Sequence, residues 1–183
     1  MQYLGSAYPY ENLDSISLPE KLQPLVRDTQ DPALKEYLKD IARNAKQRCD
    51  VFQKAPQALA NMEHINILRN IKFKMFKHTP RQSSIDFKTP IGKIHAPKAV
   101  IAPLVQCLSQ QPQSFATLLN FPHFKTNPIF LIETLFLMLN AQYVHPICEQ
   151  KSNISNHQIE VFHQLMQSKG LNLHLDDDCA SAF

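Results

Sequence analysis

The sequence predicts a mainly helical fold with a small β component, an α+β domain, and three observations carry that expectation. Apolar residues recur at i, i+3, i+4 and i+7 in stretches opened by helix caps, one pair of alternating segments flanks a Pro/Gly turn, and residues 129 to 139 hold nine apolar side chains in eleven. The length of 183 residues suffices for one core, or for two small units that share one. With 44% apolar and 19% charged residues, neither global disorder nor a fibrous repeat fits.

The first strong element opens at Asp31-Pro32, an N-cap followed by proline at the first helical position. Leu34, Tyr37, Leu38, Ile41, Ala45, Cys49 and Phe52 then form an apolar stripe, which predicts a helix from 33 to 52, ending before Pro56 and packed beside the elements that follow. A shorter helical pattern carries Leu59, Met62 and Ile65. Residues 71 to 77 alternate with period two and predict a strand; Ile85-Asp86-Phe87 and Lys93-Ile94-His95 flank Thr89-Pro90-Ile91-Gly92 and predict a β-hairpin.

From Pro97 the pattern returns to helices: 98 to 110, with Pro103 as a kink or a true start, then 115 to 120 capped by Ser114, then 128 to 140 opened by Asn127-Pro128. The last of these is apolar on nearly every side, so it is expected at the centre of the core. Residues 143 to 147 predict a short strand, and Ser155 caps a final helix with Ile159, Phe162 and Met166, stopped at Gly170. A hairpin, three helices and a returning strand give the order of a winged-helix-like unit. The expected division is 1–70 as an N-terminal linker and helical segment and 71–183 as the winged-helix-like unit with its C-terminal helix, together one compact domain.

Composition also excludes functions. The three glycines, Gly5, Gly92 and Gly170, are far apart, and a phosphate or dinucleotide loop needs several close together. No cofactor-binding, catalytic or metal-ligating residue is therefore assigned to this chain. His174, Asp176, Asp177, Asp178 and Cys179 form the densest ligand-type cluster, but without a paired motif they read as an acidic tail. Cys49, Cys107, Cys148 and Cys179 are widely spaced and read as reduced thiols of a cytoplasmic protein. His145 with Cys148 lacks an oxyanion pocket, Ser83 and Ser84 lack a nucleophile elbow, and Asn153-Ile154-Ser155 reads as a polar loop. No stretch reaches the length of a membrane span.

Charge is unevenly distributed. Residues 1 to 100 hold sixteen Lys/Arg and ten Asp/Glu, a net +6, whereas residues 101 to 183 hold three and six, a net −3. The candidate partner-binding surface is Arg69, Lys72, Lys74, Lys77 and Arg81, five cations in thirteen residues with Phe73 and Phe76 interleaved. A strand with one wet face explains such a pattern by itself. As a binding surface, it fits an acidic protein better than nucleic acid, because the helix of 128 to 140 has no Lys or Arg to reach bases and phosphates.

Four segments, Gln2-Tyr3-Leu4, Arg43-Asn44-Ala45-Lys46-Gln47-Arg48-Cys49-Asp50-Val51-Phe52, Phe87-Lys88-Thr89-Pro90-Ile91-Gly92, and Val105 to Leu108 running into Pro112, carry a family likeness. Through them the chain resembles the predicted methyltransferase regulatory domain, from Tyr3 to about Leu173. That family lies C-terminal to the catalytic domain of bacterial class I S-adenosylmethionine-dependent methyltransferases, some similar to protein lysine methyltransferases. The resemblance implies a non-catalytic accessory module, with S-adenosylmethionine bound by the parent catalytic domain, in cis or in trans. An acidic protein substrate is a further implied partner. The family's glycine-rich catalytic half is missing here, and the chain reads as an excised or severed accessory module. The alternative is a free-standing winged-helix module that binds nucleic acid; a small hydrolase with weak motifs is a third reading.

Overall fold

The computed structural model describes residues 1–76, 79–80, 84–148, 155–171, 173, 175–176, 179 and 181–182. Strand β1 (Gln2–Ser6) pairs antiparallel with β2 (Asp50–Gln53), placing Tyr3 opposite Phe52 and Gly5 opposite Val51, with a bulge between Tyr3 and Gly5. Gly5 is required there: its φ is +145°, and an added Cβ would lie 2.5 Å from Asn12 Oδ1. That oxygen accepts the Ser6 N–H at 2.8 Å, while Asn12 Nδ2 donates back to the Ser6 carbonyl at 2.9 Å.

Between β1 and β2 run a 3₁₀ turn (Pro9–Asn12), α1 (Asp14–Ser17), a second 3₁₀ turn (Glu20–Leu22), α2 (Gln23–Asp28) and α3 (Pro32–Arg43). The Asp31 cap holds, its carboxylate accepting the Leu34 N–H at 2.7 Å. The helix then stops at Arg43, well before the expected end at residue 52. Asn44 adopts the left-handed conformation (φ 51°) and its N–H turns back to Asp40 and Ile41, a C-terminal cap that closes the helix. Phe52, expected at the end of the helical stripe, belongs instead to β2.

Helix α3 packs by its charged side. Leu34, Tyr37 and Ile41 are 49%, 61% and 58% exposed, whereas Arg43 is buried. These three apolar side chains point to solvent, Leu38 is half-buried, and Glu36, Lys39, Asp40 and Arg43 point inward. Helix α4 (Asn61–Asn70) likewise leaves Met62 and Ile65 exposed and packs through Leu68.

Strand β3 (Lys72–Met75) is the centre of a three-stranded antiparallel sheet, flanked by β6 (Gln113–Ser114) and β7 (Val144–Pro146). The expected hairpin forms from β4 (Ile85–Thr89) and β5 (Gly92–Ala96) across Pro90-Ile91, and it stands as a two-stranded sheet of its own. Helix α5 (Lys98–Gln110) runs through Pro103. Ser114 caps α6 (Phe115–Leu118), its Oγ accepting the Thr117 N–H at 3.1 Å, and α7 (Pro122–Lys125) leads to α8 (Pro128–Asn140). Ser155 and Gln158 form a capping box for α9 (Asn156–Ser168), and β8 (Leu175–Asp176) pairs with β9 (Ser181–Ala182).

Helix α8 is central, as its composition predicts: Leu131, Leu135 and Met138 are at most 1% exposed. They pack in one cluster with Ile101, Leu104 and Leu108 of α5, Leu118, Phe124, Phe73, Phe87 and Val144. Burial of each such side chain contributes roughly 1.5 to 3 kcal/mol. Tyr10 and Ile16 from the N-terminal segment join the same cluster, and Ser15 Oγ donates to Glu133 of α8 at 2.5 Å.

Candidate functional site

The basic strand is placed by sheet register. Phe73 is buried, and its neighbours Lys72 and Lys74 project from the opposite face of β3, Lys72 across from Ser114 and Lys74 across from His145. Lys72 is exposed and Lys74 half-buried. Arg69 is exposed in the last turn of α4, with two residues between it and the start of β3. Lys77 and Arg81 lie outside the described residues. Strand β3 pairs with β6 at Lys72 and Phe73 and with β7 at Phe73, Lys74 and Met75.

The densest polar constellation lies elsewhere, around a pocket of about 230 Å³ between β1, α3 and the loop into β2. Glu36, Lys39, Asp40 and Arg43 recur along one face of α3 and line it. Arg48 enters from the loop. Its Nη1 donates to Asp40 at 2.9 Å, its Nε to Asp50 at 3.1 Å, and its Nη2 to the Tyr3 hydroxyl oxygen at 3.0 Å, with Glu36 Oε2 at 3.3 Å. The Tyr3 hydroxyl in turn donates to Glu36 at 2.9 Å, and Lys39 bridges Glu36 at 3.2 Å and Asp14 at 3.1 Å. Arg43 donates through Nη2 to the Glu11 carbonyl and to Ser17 Oγ at 3.0 Å.

The electrostatics follow from that wiring. Burial and then the Glu36 carboxylate push the Tyr3 hydroxyl up to about 12. Burial pulls Glu36 upward, but the Tyr3 hydrogen bond and Lys39 outweigh it and hold the carboxyl below its ordinary range. Burial also works against the Arg48 charge, and its bonds to Asp50 and Asp40 outweigh it, raising its pKa. The Tyr3 hydroxyl stays protonated and the Glu36 carboxylate ionised, each engaged with the other. Such an arrangement serves as a clasp between β1, α3 and β2.

Sequence reading passed over this network, although its signal was present. Glu36, Lys39, Asp40 and Arg43 repeat with helical period opposite the apolar stripe.

Other constellations are weaker. Ser84, Asp86 and His95 line one open depression, and His95 Nδ1 lies 2.7 Å from Asp86 Oδ1 across the hairpin, but both are largely exposed. His145 Nδ1 approaches the Pro146 carbonyl at 2.8 Å, and Cys148 is exposed. Among the described residues no three His, Cys, Asp or Glu side chains group to hold a metal; His174, Asp177 and Asp178 lie outside them. No described helix is long and apolar enough to cross a membrane.

Comparison with known proteins finds a partial match over this site. The model of the predicted methyltransferase regulatory domain matches residues 1–54, limits that enclose β1, α1, α2, α3, β2 and every member of the Arg48 clasp. An uncharacterized protein of Synechocystis sp. is 26% identical over 150 residues, covering 80% of this chain. The chain spans 29% of that relative's length. No solved structure matches it.

Proposed function

We propose that this chain is a non-catalytic accessory module that packs against an S-adenosylmethionine-dependent methyltransferase catalytic domain and helps position a protein substrate, with lysine as the methylated side chain. One observation carries the reading: the stretch that the regulatory-domain family model matches is also the stretch that the Arg48 clasp ties into one structural unit. The residues present do not fit the cofactor itself. Gly5, Gly92 and Gly170 sit in β1, at the start of β5 and after α9, and the charged groups lining the Arg48 pocket are paired with one another. S-adenosylmethionine, the methyl donor, is in this reading bound by the partner domain.

In this reading the segments 1–70 and 71–183 work as one compact body, which the shared core of Tyr10 and Ile16 supports. The winged-helix-like description of the second segment is supported by the order of hairpin, helices and β7. The face of Arg69, Lys72, Lys74, Lys77 and Arg81 meets an acidic protein surface. Nucleic acid is the less favoured partner, because α8 carries no Lys or Arg and its core-facing side chains are buried.

The test is to produce the chain and the methyltransferase domain encoded with or beside it as separate polypeptides. The two form a complex, and titration calorimetry of this chain alone with S-adenosylmethionine shows no heat; saturable micromolar cofactor binding by the chain alone overturns the reading.

A further inference from the structure

We infer that the outward face of α3, formed by Leu34, Tyr37 and Ile41, is the surface that seats the methyltransferase catalytic domain, an inference that rests on the accessory-module reading above. An amphipathic helix on a protein surface ordinarily turns its apolar stripe inward. Here the reverse is fixed in place. Glu36, Lys39 and Asp40 are bound to Tyr3, Asp14 and Arg48, and Arg43 is bound to Glu11 and Ser17, so the helix cannot roll without breaking the whole clasp. Three large apolar side chains at i, i+3 and i+7 are thereby held in water, each about half exposed or more. On the adjoining α2, Leu25 is exposed as well. A rigid helix displaying anchors at this spacing is the helix-in-groove mode of recognition, which requires an apolar groove on the partner.

The occupant follows from the size of the patch and from the comparisons. Four side chains offer far less than the roughly 800 Å² per partner of a free-standing stable interface, which disfavours a dimer of this chain. A patch that small suffices when the partner is held nearby, as a domain of the same polypeptide is, because linkage supplies a high effective concentration. The Synechocystis relative extends well beyond the matched region, which covers 29% of it, and the family whose model matches residues 1–54 is described by its association with a methyltransferase. The α3 face lies inside those residues.

The experiment compares the wild-type chain with a variant carrying Tyr37→Gln and Ile41→Gln, substitutions that keep good helix formers on an exposed face. The probe is the methyltransferase domain encoded with or beside this chain, titrated as a separate polypeptide up to the millimolar concentrations that linkage would supply. The expected result is complex formation by wild type, at least tenfold weaker binding by the variant at an unchanged melting temperature, and hydroxyl-radical labelling of wild-type Tyr37 that falls on complex formation. Equal binding by the variant, or Tyr37 labelling that does not change in the complex, overturns the α3 assignment while leaving the accessory reading intact. Absence of any complex with wild type overturns that reading, and the assignment with it. Concentration-dependent dimerisation of wild type, lost in the variant, overturns the assignment in favour of a second copy.

Discussion

The guanidinium of Arg48 lies over the Tyr3 ring, 5.5 Å from its centre, and its Nη2 donates to the same residue's hydroxyl at 3.0 Å. Forty-five positions separate them, so this pair fixes the loop after α3 against the first strand. It also joins two conformations that local sequence does not dictate, the bulged β1 and the left-handed turn at Asn44.

Removing the hub should therefore loosen the N-terminal unit more than the core. Arg48→Met leaves Asp40 and Asp50 without their cation, and hydrogen bonds to charged groups contribute roughly 1.5 to 3 kcal/mol each at best. Partial exposure of Arg48 reduces that, and a net loss of about 1 to 2 kcal/mol is expected. Hydrogen exchange should show faster opening of β1 and β2 with little change in α8; protection of Gln2–Ser6 equal to wild type would contradict the clasp.

Stability should fall at both ends of the pH scale for reasons traceable to one contact. Glu36 has a folded pKa below its ordinary value of 4.5, so its contribution is complete above that value and is lost as pH drops through the folded pKa. Tyr3 is the opposite case. Raised from 10.0 to about 12, it contributes fully below pH 10 and loses that contribution as pH rises toward 12. Melting curves of wild type and Tyr3→Phe should converge as the pH is raised from 10 to 12, since the variant has no hydroxyl to ionise.

Leu135 is 1% exposed at the centre of α8, and truncation there removes apolar contacts and leaves a cavity. Leu135→Ala should cost roughly 2 to 5 kcal/mol in chemical denaturation. A loss under about 0.5 kcal/mol, typical of exposed sites, would mean that the core is not organised on this helix.

The basic face separates its three readings by salt. With Lys72, Lys74 and Lys77 replaced by Gln, we expect weaker capture of the methyltransferase domain or an acidic substrate. Wild-type capture should fade as ionic strength passes 0.1 M, where the screening length is about 10 Å. Unchanged capture reduces the lysines to a wet face; tight, salt-sensitive binding to duplex DNA or single-stranded RNA, lost in the variant, reverses the ranking of partners.

Local signals determined much of this protein without help. The caps at Asp31, Ser114 and Ser155, the Pro/Gly turn and the apolar run of 129 to 139 specify α3's start, α6, α9, the β4–β5 hairpin and the central α8, because each is settled by residues within a few positions of one another. The lysine alternation around Phe73 was equally readable, since strand geometry alone separates the two faces.

Tertiary structure decided what depended on distant partners. Asp50–Gln53 has the apolar content to extend a helix, and it is a strand because Gln2–Ser6 is there to pair with it. The orientation of α3 was undetermined for a related reason: periodicity establishes that a helix has two faces, not which one is buried. Burial of the charged face is favourable once Tyr3, Asp14, Arg48 and Ser17 stand opposite it to receive each charge, and those four residues come from outside the helix. The same choice leaves Leu34, Tyr37 and Ile41 facing outward.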